Sequence, residues 1–443
     1  MSRYFDEEME SMPKRRLLSL QLERLKSLVS RAYSSSRFYR ALYDEGGVTP
    51  DDIKCIDDIQ NLPFLDEQAL RDAYPNGLAL APRRQFREVA GCLNGGAPAL
   101  VFLTRKDLRY RAQLCARNLV AAGLREGDAV LNLMPSGMGF QGHGYDAGAY
   151  AAGMMVVPRP ACTLEEQVKL LPDIGMAGVC GSPVALQNLT QMLLEQLGPR
   201  DKALRLRLAM ACDGEWPDGL YDETREELEN RLGVPVVDAV AMTRPLLHGL
   251  GVECEEKNGL HVWADAFLVE CVHPDTKEWV EEGYVGELVW TWLAADGSAV
   301  IRYRSGDLAT LTWEETCPCG RTHPKISHIL GRASESFTVA GKLVLAVALE
   351  KELNRIPDLT GEYRVLIERP RTIDRVTLFV EVRDSLALQD KERTRRIRMQ
   401  VSDTAKAVVG IRVQVELVPP GALPRVNTRA ERIEDGRRIL RLP

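Results

Sequence analysis

From Leu17 to about Leu42 apolar residues recur at helical spacing (Leu17, Leu18, Leu20, Leu22, Leu25, Leu28, Val29), with many charges on the opposite face. The spacing predicts an amphipathic helix that opens the fold. Around position 130 the run DAVLNLM is short, apolar and bounded by turn residues, as a buried strand is. Gly148 to Met155 followed by VVPRP predicts a helix feeding a further strand, and VVDAV, FLVECV and GELVWTWL repeat the strand pattern later. Helical segments over 164–171, 185–197 and 221–232 alternate with these strands, which predicts an α/β fold with largely parallel sheets. The sequence shows no internal repeat.

After Arg332 the texture changes. Two strand patterns, YRVLIE and RVTLFVEV, precede a charged helix through DKERTRRIRMQVSDTAKAV and a last strand, IRVQVELV. The order β-β-α-β predicts a small α+β lid domain of about 110 residues, joined to the α/β body by a short segment without its own hydrophobic period. The expected division is therefore 1–331 and 332–443. The basic run KERTRRIR has acids on either side and reads as a solvated helix face, as does the Arg-rich tail.

Composition narrows the functional classes. The chain has 443 residues, 45% hydrophobic and 27% charged, enough to bury a sizeable core and too apolar for intrinsic disorder. Lys and Arg total 57 against 63 Asp and Glu, and a net charge of −6 gives no electrostatic reason for a nucleic-acid or anionic-membrane partner. The first residues alternate in charge and no run approaches the length of a membrane span, so the expected location is the cytoplasm. Ten irregularly spaced cysteines then read as thiols or metal ligands rather than as a disulfide framework. The expected partners are small molecules, and a homodimer stays open as the assembly.

Several stretches together resemble the phenylacetate-CoA ligase branch of the adenylate-forming (AMP-binding) superfamily. These are GLREGDAV with the glycine-studded GMGFQGHGYDAG; GLHVWADAFLVECVHPDT, GYVGELVWTWL and VIRYRSGDLATL; GRASESFTVAG; and VELVPPGALPRVNTRAERI. The resemblance implies a large N-terminal α/β domain of adenylate-forming type with the small lid. It implies a two-step reaction, in which a carboxylate attacks the α-phosphate of ATP to give an acyl-adenylate and CoA then displaces AMP.

The resemblance also assigns roles, and several residues depart from them. The phosphate-gripping loop falls on Gly91-Cys92-Leu93-Asn94-Gly95-Gly96-Ala97-Pro98. Gly91, Gly95 and Gly96 keep backbone access to phosphate, but the hydroxyls are absent and Ala97 replaces the lysine. An ordinary glycine turn is the competing reading. The run that ends in a metal-holding glutamate falls on Val240-Ala241-Met242-Thr243-Arg244, where Arg244 reverses the charge; it would repel Mg²⁺ while being able to contact phosphate itself. Gly214 and Glu215 fit the segment lining the nucleotide pocket. Asp307 matches the ribose-binding aspartate and Arg332 follows at the expected distance, although the two could equally form a structural ion pair. The terminal catalytic lysine falls on Arg429.

Cys317 and Cys319 form Cys-Pro-Cys-Gly-Arg, a tight turn whose glycine lets both sulfurs face one point. Cys254 and His261, seven residues apart, supply a third thiolate and an imidazole, and some relatives in this branch carry the same two half-sites. Cys254, His261, Cys317 and Cys319 are the expected Cys₃His zinc site, closed and hence structural, with His323 as rival fourth ligand. His143 and His248 are weaker candidates for substrate contact. Two functions follow. One is an ATP-dependent acyl- or aryl-CoA ligase whose Arg244 and Arg429 compensate for the substitutions, using ATP/AMP and CoA with doubtful need for Mg²⁺. The other is a degenerate relative that binds nucleotide or acyl groups or acts in regulation.

Overall fold

The computed structural model describes residues 2–92, 98–137, 142–157, 163–169, 171–196, 205–212, 222–240, 249–314, 316–370, 373–426 and 428–438. The chain divides into two compact units. The first holds residues 1–273, 278–305 and 309–329, and the second holds 274–277, 306–308 and 330–443.

In the first unit the opening helix is two helices. Lys14–Ser35 buries Leu17, Gln21, Leu25, Leu28, Val29 and Ala32 on one face. It stops at Ser36, whose extended backbone and side-chain oxygen, accepting from the Tyr39 N–H, start a new helix over Arg37–Glu45. The periodic pattern ran through this break because a serine N-cap redirects the chain without interrupting the apolar spacing.

Strands β1 (Phe86–Cys92) and β2 (Ala99–Thr104) form an antiparallel hairpin. The next five, β3 (Ala129–Asn132), β4 (Met155–Val157), β5 (Gly178–Gly181), β6 (Leu208–Cys212) and β7 (Val236–Val240), pair in parallel in the order β4-β3-β5-β6-β7. Helices Gly142–Ala151, Pro183–Gln196 and Asp222–Leu232 lie in their crossovers. The helical pattern over 164–171 resolves into Leu164–Val168 and Leu171–Ile174.

The same sheet continues through β8 (Gly251–Glu253) and β9 (Leu260–Val262), then the later strands β10 (Phe267–Val272), β11 (Val285–Trp292), β12 (Tyr303–Thr312) and β13 (Lys325–Ile326), in the order β8-β9-β13-β12-β11-β10. The pairs β7/β8, β8/β9, β9/β13, β13/β12 and β11/β10 are antiparallel. The expectation of largely parallel sheets therefore holds only as far as β7. Beyond it the connection β8–β9 is a short turn, and a short turn can only reverse the chain, whereas parallel neighbours need a long crossover.

The glycine-studded segment is a packing device from residue 142 onward. A Cβ at Gly148 would sit 2.6 Å from the Cys115 Cβ and 2.8 Å from the Ala116 nitrogen, so helix Gly142–Ala151 lies directly against helix Arg105–Ala121.

In the second unit β14 (Gly331–Arg332) pairs with residues 307 and 308. A hairpin of β15 (Ser336–Val339) and β16 (Lys342–Leu345) leads into helix Ala346–Asn354, so the linking segment has regular structure of its own. Strands β17 (Leu359–Glu368), β18 (Arg375–Val382), β19 (Val413–Val418) and β20 (Ile433–Asp435) form a sheet ordered β19-β18-β17-β20. Helix Lys391–Val409 covers this core with Ile397, Val401, Ala405 and Val409, one residue per turn. Burial of each of its larger aliphatic side chains contributes about 1.5–3 kcal/mol. Asp390 caps its start and Gly410, at φ 87°, ends it. Its basic run faces outward, and Arg393 pairs with Asp358 and Asp384 at 2.9 Å each.

Candidate functional site

The hairpin β8–β9 carries Cys254 immediately after β8 and His261 within β9. Lys257 and Gly259 take left-handed backbone conformations that close this turn. The second half-site is the loop before β13. There the Gly320 N–H donates to the Cys317 carbonyl at 2.7 Å, the Cys317 N–H donates to the Arg321 carbonyl at 2.9 Å, and Gly320 sits at φ 86°. Pairing of β13 with β9, Lys325 opposite His261, brings the two half-sites together.

One donor atom from each of Cys254, His261, Cys317 and Cys319 lies within 4.8 Å of all the others, and all four residues are buried. The Cys254 and Cys317 sulfurs are 3.9 Å apart, and the Cys319 sulfur is 3.4 Å from the His261 Nε2. A tetrahedral zinc ion with Zn–S bonds of about 2.3 Å requires sulfurs about 3.8 Å apart, so the donor set fits zinc in spacing as well as in chemistry. The His261 Nδ1 is buried without a hydrogen-bond partner among the described residues, and the polar contact of its Nε2 is the Cys319 sulfur. Hydrogen bonding from the Cys254 thiol, opposed by burial and aided by His261, holds the Cys319 thiol well below its ordinary value. Burial pulls the His261 imidazole down, but its contacts with Cys317 and Cys319 outweigh that and raise it. A thiolate is thus already favoured where a cation would bind.

The surroundings hold this geometry. The Cys319 carbonyl accepts from the Tyr4 hydroxyl at 3.1 Å and from Arg3 at 3.3 Å. Arg321 forms a buried ion pair with Glu10 at 2.7 Å and donates to the Arg3 carbonyl at 2.7 Å. Lys325, beside Cys317 and paired with Glu314 at 3.2 Å, adds positive charge near the three sulfurs. His323 is not part of the cluster. Its Nδ1 accepts from the Ala264 N–H and its Nε2 faces the Met9 carbonyl, both at 2.9 Å, and burial pushes its imidazole down to about 4.

Of the residues assigned to nucleotide chemistry, Gly91 lies in β1 opposite Leu100. Gly95, Gly96, Ala97, Gly214, Glu215, Thr243, Arg244 and His248 lie outside the described residues. Asp307 and Arg332 stand opposite each other across β12 and β14, and their side chains form an ion pair, with Asp307 buried. This is the structural pair anticipated beside the ribose-binding role, and it fixes the direction of the carboxylate. Arg429 is paired with Glu350 and lies 3.5 Å from Glu335. His143 is exposed in the first turn of helix Gly142–Ala151.

Among the buried polar clusters that residue spacing does not reveal, one is centred on His328. His328 meets the Asp238 carboxylate through Nδ1 at 2.9 Å and the Glu253 carboxylate through Nε2 at 3.3 Å, while Arg225 pairs with Glu253 at 3.0 Å. Burial lowers the His328 pKa, but the hydrogen bond to Asp238 and the charges of both acids raise it overall. The signal was a single acid inside the apolar run VVDAV, since a charge buried in a central strand needs a partner.

Comparison with known proteins supplies the context for these sites. Residues 341–437 match the family "AMP-binding enzyme C-terminal domain". The chain is 35% identical to the phenylacetate-coenzyme A ligase of Thermus thermophilus over 95% of its own length and 96% of that protein's. It is 30% identical to the Escherichia coli protein of the same name, covering 96% of each chain. The crystal structure of an open conformation of 2-hydroxyisobutyryl-CoA ligase, in complex with 2-HIB-AMP and CoA, superposes with a TM-score of 0.86 at 26% identity, covering 98% of this chain and 95% of that one. No helix among the described residues is long and apolar enough to cross a membrane. With relatives this similar along nearly their whole length, the chain belongs to the phenylacetate-CoA ligase family of the adenylate-forming superfamily.

Proposed function

We propose that the protein is an ATP-dependent acid–CoA ligase acting on a small aryl or acyl carboxylate. One carboxylate oxygen attacks the α-phosphate of ATP, pyrophosphate leaves, and the CoA thiolate then attacks the acyl carbon and expels AMP. The observation that carries this reading is 35% identity to a phenylacetate-coenzyme A ligase across 95% of the chain. In it Asp307, oriented by Arg332, accepts hydrogen bonds from the ribose hydroxyls. Arg244 and Arg429 supply the positive charge that the reacting phosphate and carboxylate demand. Residues 1–331 form the body and 332–443 the lid, in the cytoplasm.

The three substitutions at Ala97, Arg244 and Arg429 are what support the alternative, a relative that only binds. The full-length likeness to ligases weighs against it. Zinc at Cys254, His261, Cys317 and Cys319 has a structural role in this reading, because four protein ligands leave no position for substrate. Carboxylate-dependent pyrophosphate exchange over a panel of aryl and fatty acids, phenylacetate among them, tests the proposal. Exchange with any member supports it, and none with every member while ATP still binds would return the binding-only reading.

A further inference from the structure

A pocket of about 270 Å³ lies in the first unit beside β10, the outermost strand of the large sheet, and no residue assigned to nucleotide chemistry or to zinc lines it. Helix Lys14–Ser35 brings Lys14, Leu18 and Gln21 to it, at the i, i+4, i+7 spacing of one helix face, and Trp279 and Trp313 add two indoles. Sites for small molecules start at about 300 Å³, so the space suits one small ligand. The Trp279 indole is held in place by Nε1, which donates to Glu270 at 2.7 Å, and Glu270 is fixed in turn by Arg302 at 2.8 and 3.0 Å. That wall is set before any ligand arrives.

The polar groups of the lining that lack partners are acceptors. Gln21, 3% exposed, uses its Nε2 on the carbonyls of Ala264 at 2.9 Å and Phe267 at 3.2 Å, while its Oε1 accepts from no group among the described residues. Asp57 and Glu281 are exposed and form no ion pair among the described residues. The cation of the lining, Lys14, is engaged on Trp313, donating to its carbonyl at 3.1 Å with Nζ 5.0 Å from its ring centroid. Trp279 carries no such cation among the described residues, and an indole face attracts one through its ring quadrupole. We propose that this pocket binds a small arylalkyl ammonium ion, its ring among the indoles, Leu18, Val269 and Leu311 and its charged donor toward Gln21 Oε1, Asp57 and Glu281. The proposal stands apart from the ligase reading.

Calorimetry on the full chain with phenethylammonium and its neutral counterpart 2-phenylethanol tests it. The wild type should bind the ammonium about tenfold or more tightly than the alcohol. Trp279→Leu, at an indole already 39% exposed, should weaken the ammonium about tenfold, as loss of a cation–π contact predicts. Asp57→Asn with Glu281→Gln, both at exposed positions, should remove most of the preference for the ammonium while leaving the alcohol as it was. No binding of phenethylammonium at millimolar concentration, equal affinity for the alcohol, unchanged affinity in Trp279→Leu, or an unchanged preference in the double acid variant would each overturn the proposal. So would Trp279-dependent binding of 3-phenylpropionate in place of the ammonium, which would make Lys14 rather than the acids the recognising charge.

Discussion

The Cys319 sulfur lies 3.4 Å from the His261 Nε2, although 58 residues separate them in sequence. The contact joins the Cys-Pro-Cys-Gly turn to the histidine that the sequence set beside Cys254 as a candidate ligand, and it favours a cation over an ordinary core. Protein purified without added metal should contain about one zinc per chain. Cys317→Ser should release it and lower stability, because affinity at such a site is coupled to folding. His323→Gln should retain the metal, and His261→Ala should not. Elemental analysis that finds no zinc in protein never exposed to chelators would refute the assignment.

The Glu10–Arg321 pair, with side chains 0% and 2% exposed, should behave as a buried ion pair does. Burial raises the Glu10 pKa despite the arginine beside it, so the acid is held at a cost. Glu10→Ala should destabilise by about 3–5 kcal/mol, since it strands a buried guanidinium, while replacing both residues by apolar ones should cost less than the two single changes together. Denaturant unfolding of the double-mutant cycle reads this directly. Strict additivity would mean the pair is not coupled.

Asp307 should contribute to nucleotide affinity. Asp307→Ala is expected to weaken AMP or ATP by about 1–3 kcal/mol, the range for hydrogen bonds to a charged group. A calorimetric titration in which the variant binds as the wild type does would leave Asp307 with a structural role, its pairing to Arg332 included.

Charge at position 244 should be visible in metal dependence. A fixed guanidinium within a few ångströms of a divalent ion opposes it by several kcal/mol at the effective dielectric of a partly buried site. Nucleotide binding should therefore be nearly independent of Mg²⁺. Restoring Ala97→Lys, Arg244→Glu and Arg429→Lys together should bring Mg²⁺ dependence back. Wild-type affinity or turnover that climbs steeply with Mg²⁺ would show that Arg244 does not occupy the metal position.

Two histidines should give stability opposite pH slopes. His323 falls from 6.5 to about 4 on folding, so between these values the unfolded chain binds a proton that the native one refuses. Stability should drop on acidification through that window, by at most about 3 kcal/mol. His323→Gln should flatten the slope. His328 is raised instead, so its contribution is complete below pH 6.5 and is lost as pH rises through its folded value. Unfolding curves collected from pH 4 to 8 on His323→Gln and His328→Gln separate the two, and an unchanged acid limb in His323→Gln would disprove the first assignment.

What the sequence by itself determined was local or ordered along the chain. Helices, strands and turns follow from spacing and from caps such as Asp390 and Gly410, and the order of the family's segments carried the resemblance. The parallel half of the sheet was legible too, since β3, β5 and β6 are each followed by a helix long enough for a crossover. What only the tertiary structure decided was which distant groups meet. Pairing of β9 with β13 put His261, the expected ligand, among the thiols and left its rival His323 on the Ala264 and Met9 backbone; the sequence could favour the first but not exclude the second, because nothing local distinguishes a ligand from a satisfied imidazole. Likewise Asp238 and Glu253 were invisible as partners of His328 until β7 and β8 lay side by side. Buried polar groups must be satisfied, but the sequence states only the need; the register of long-range strand pairing chooses the partner.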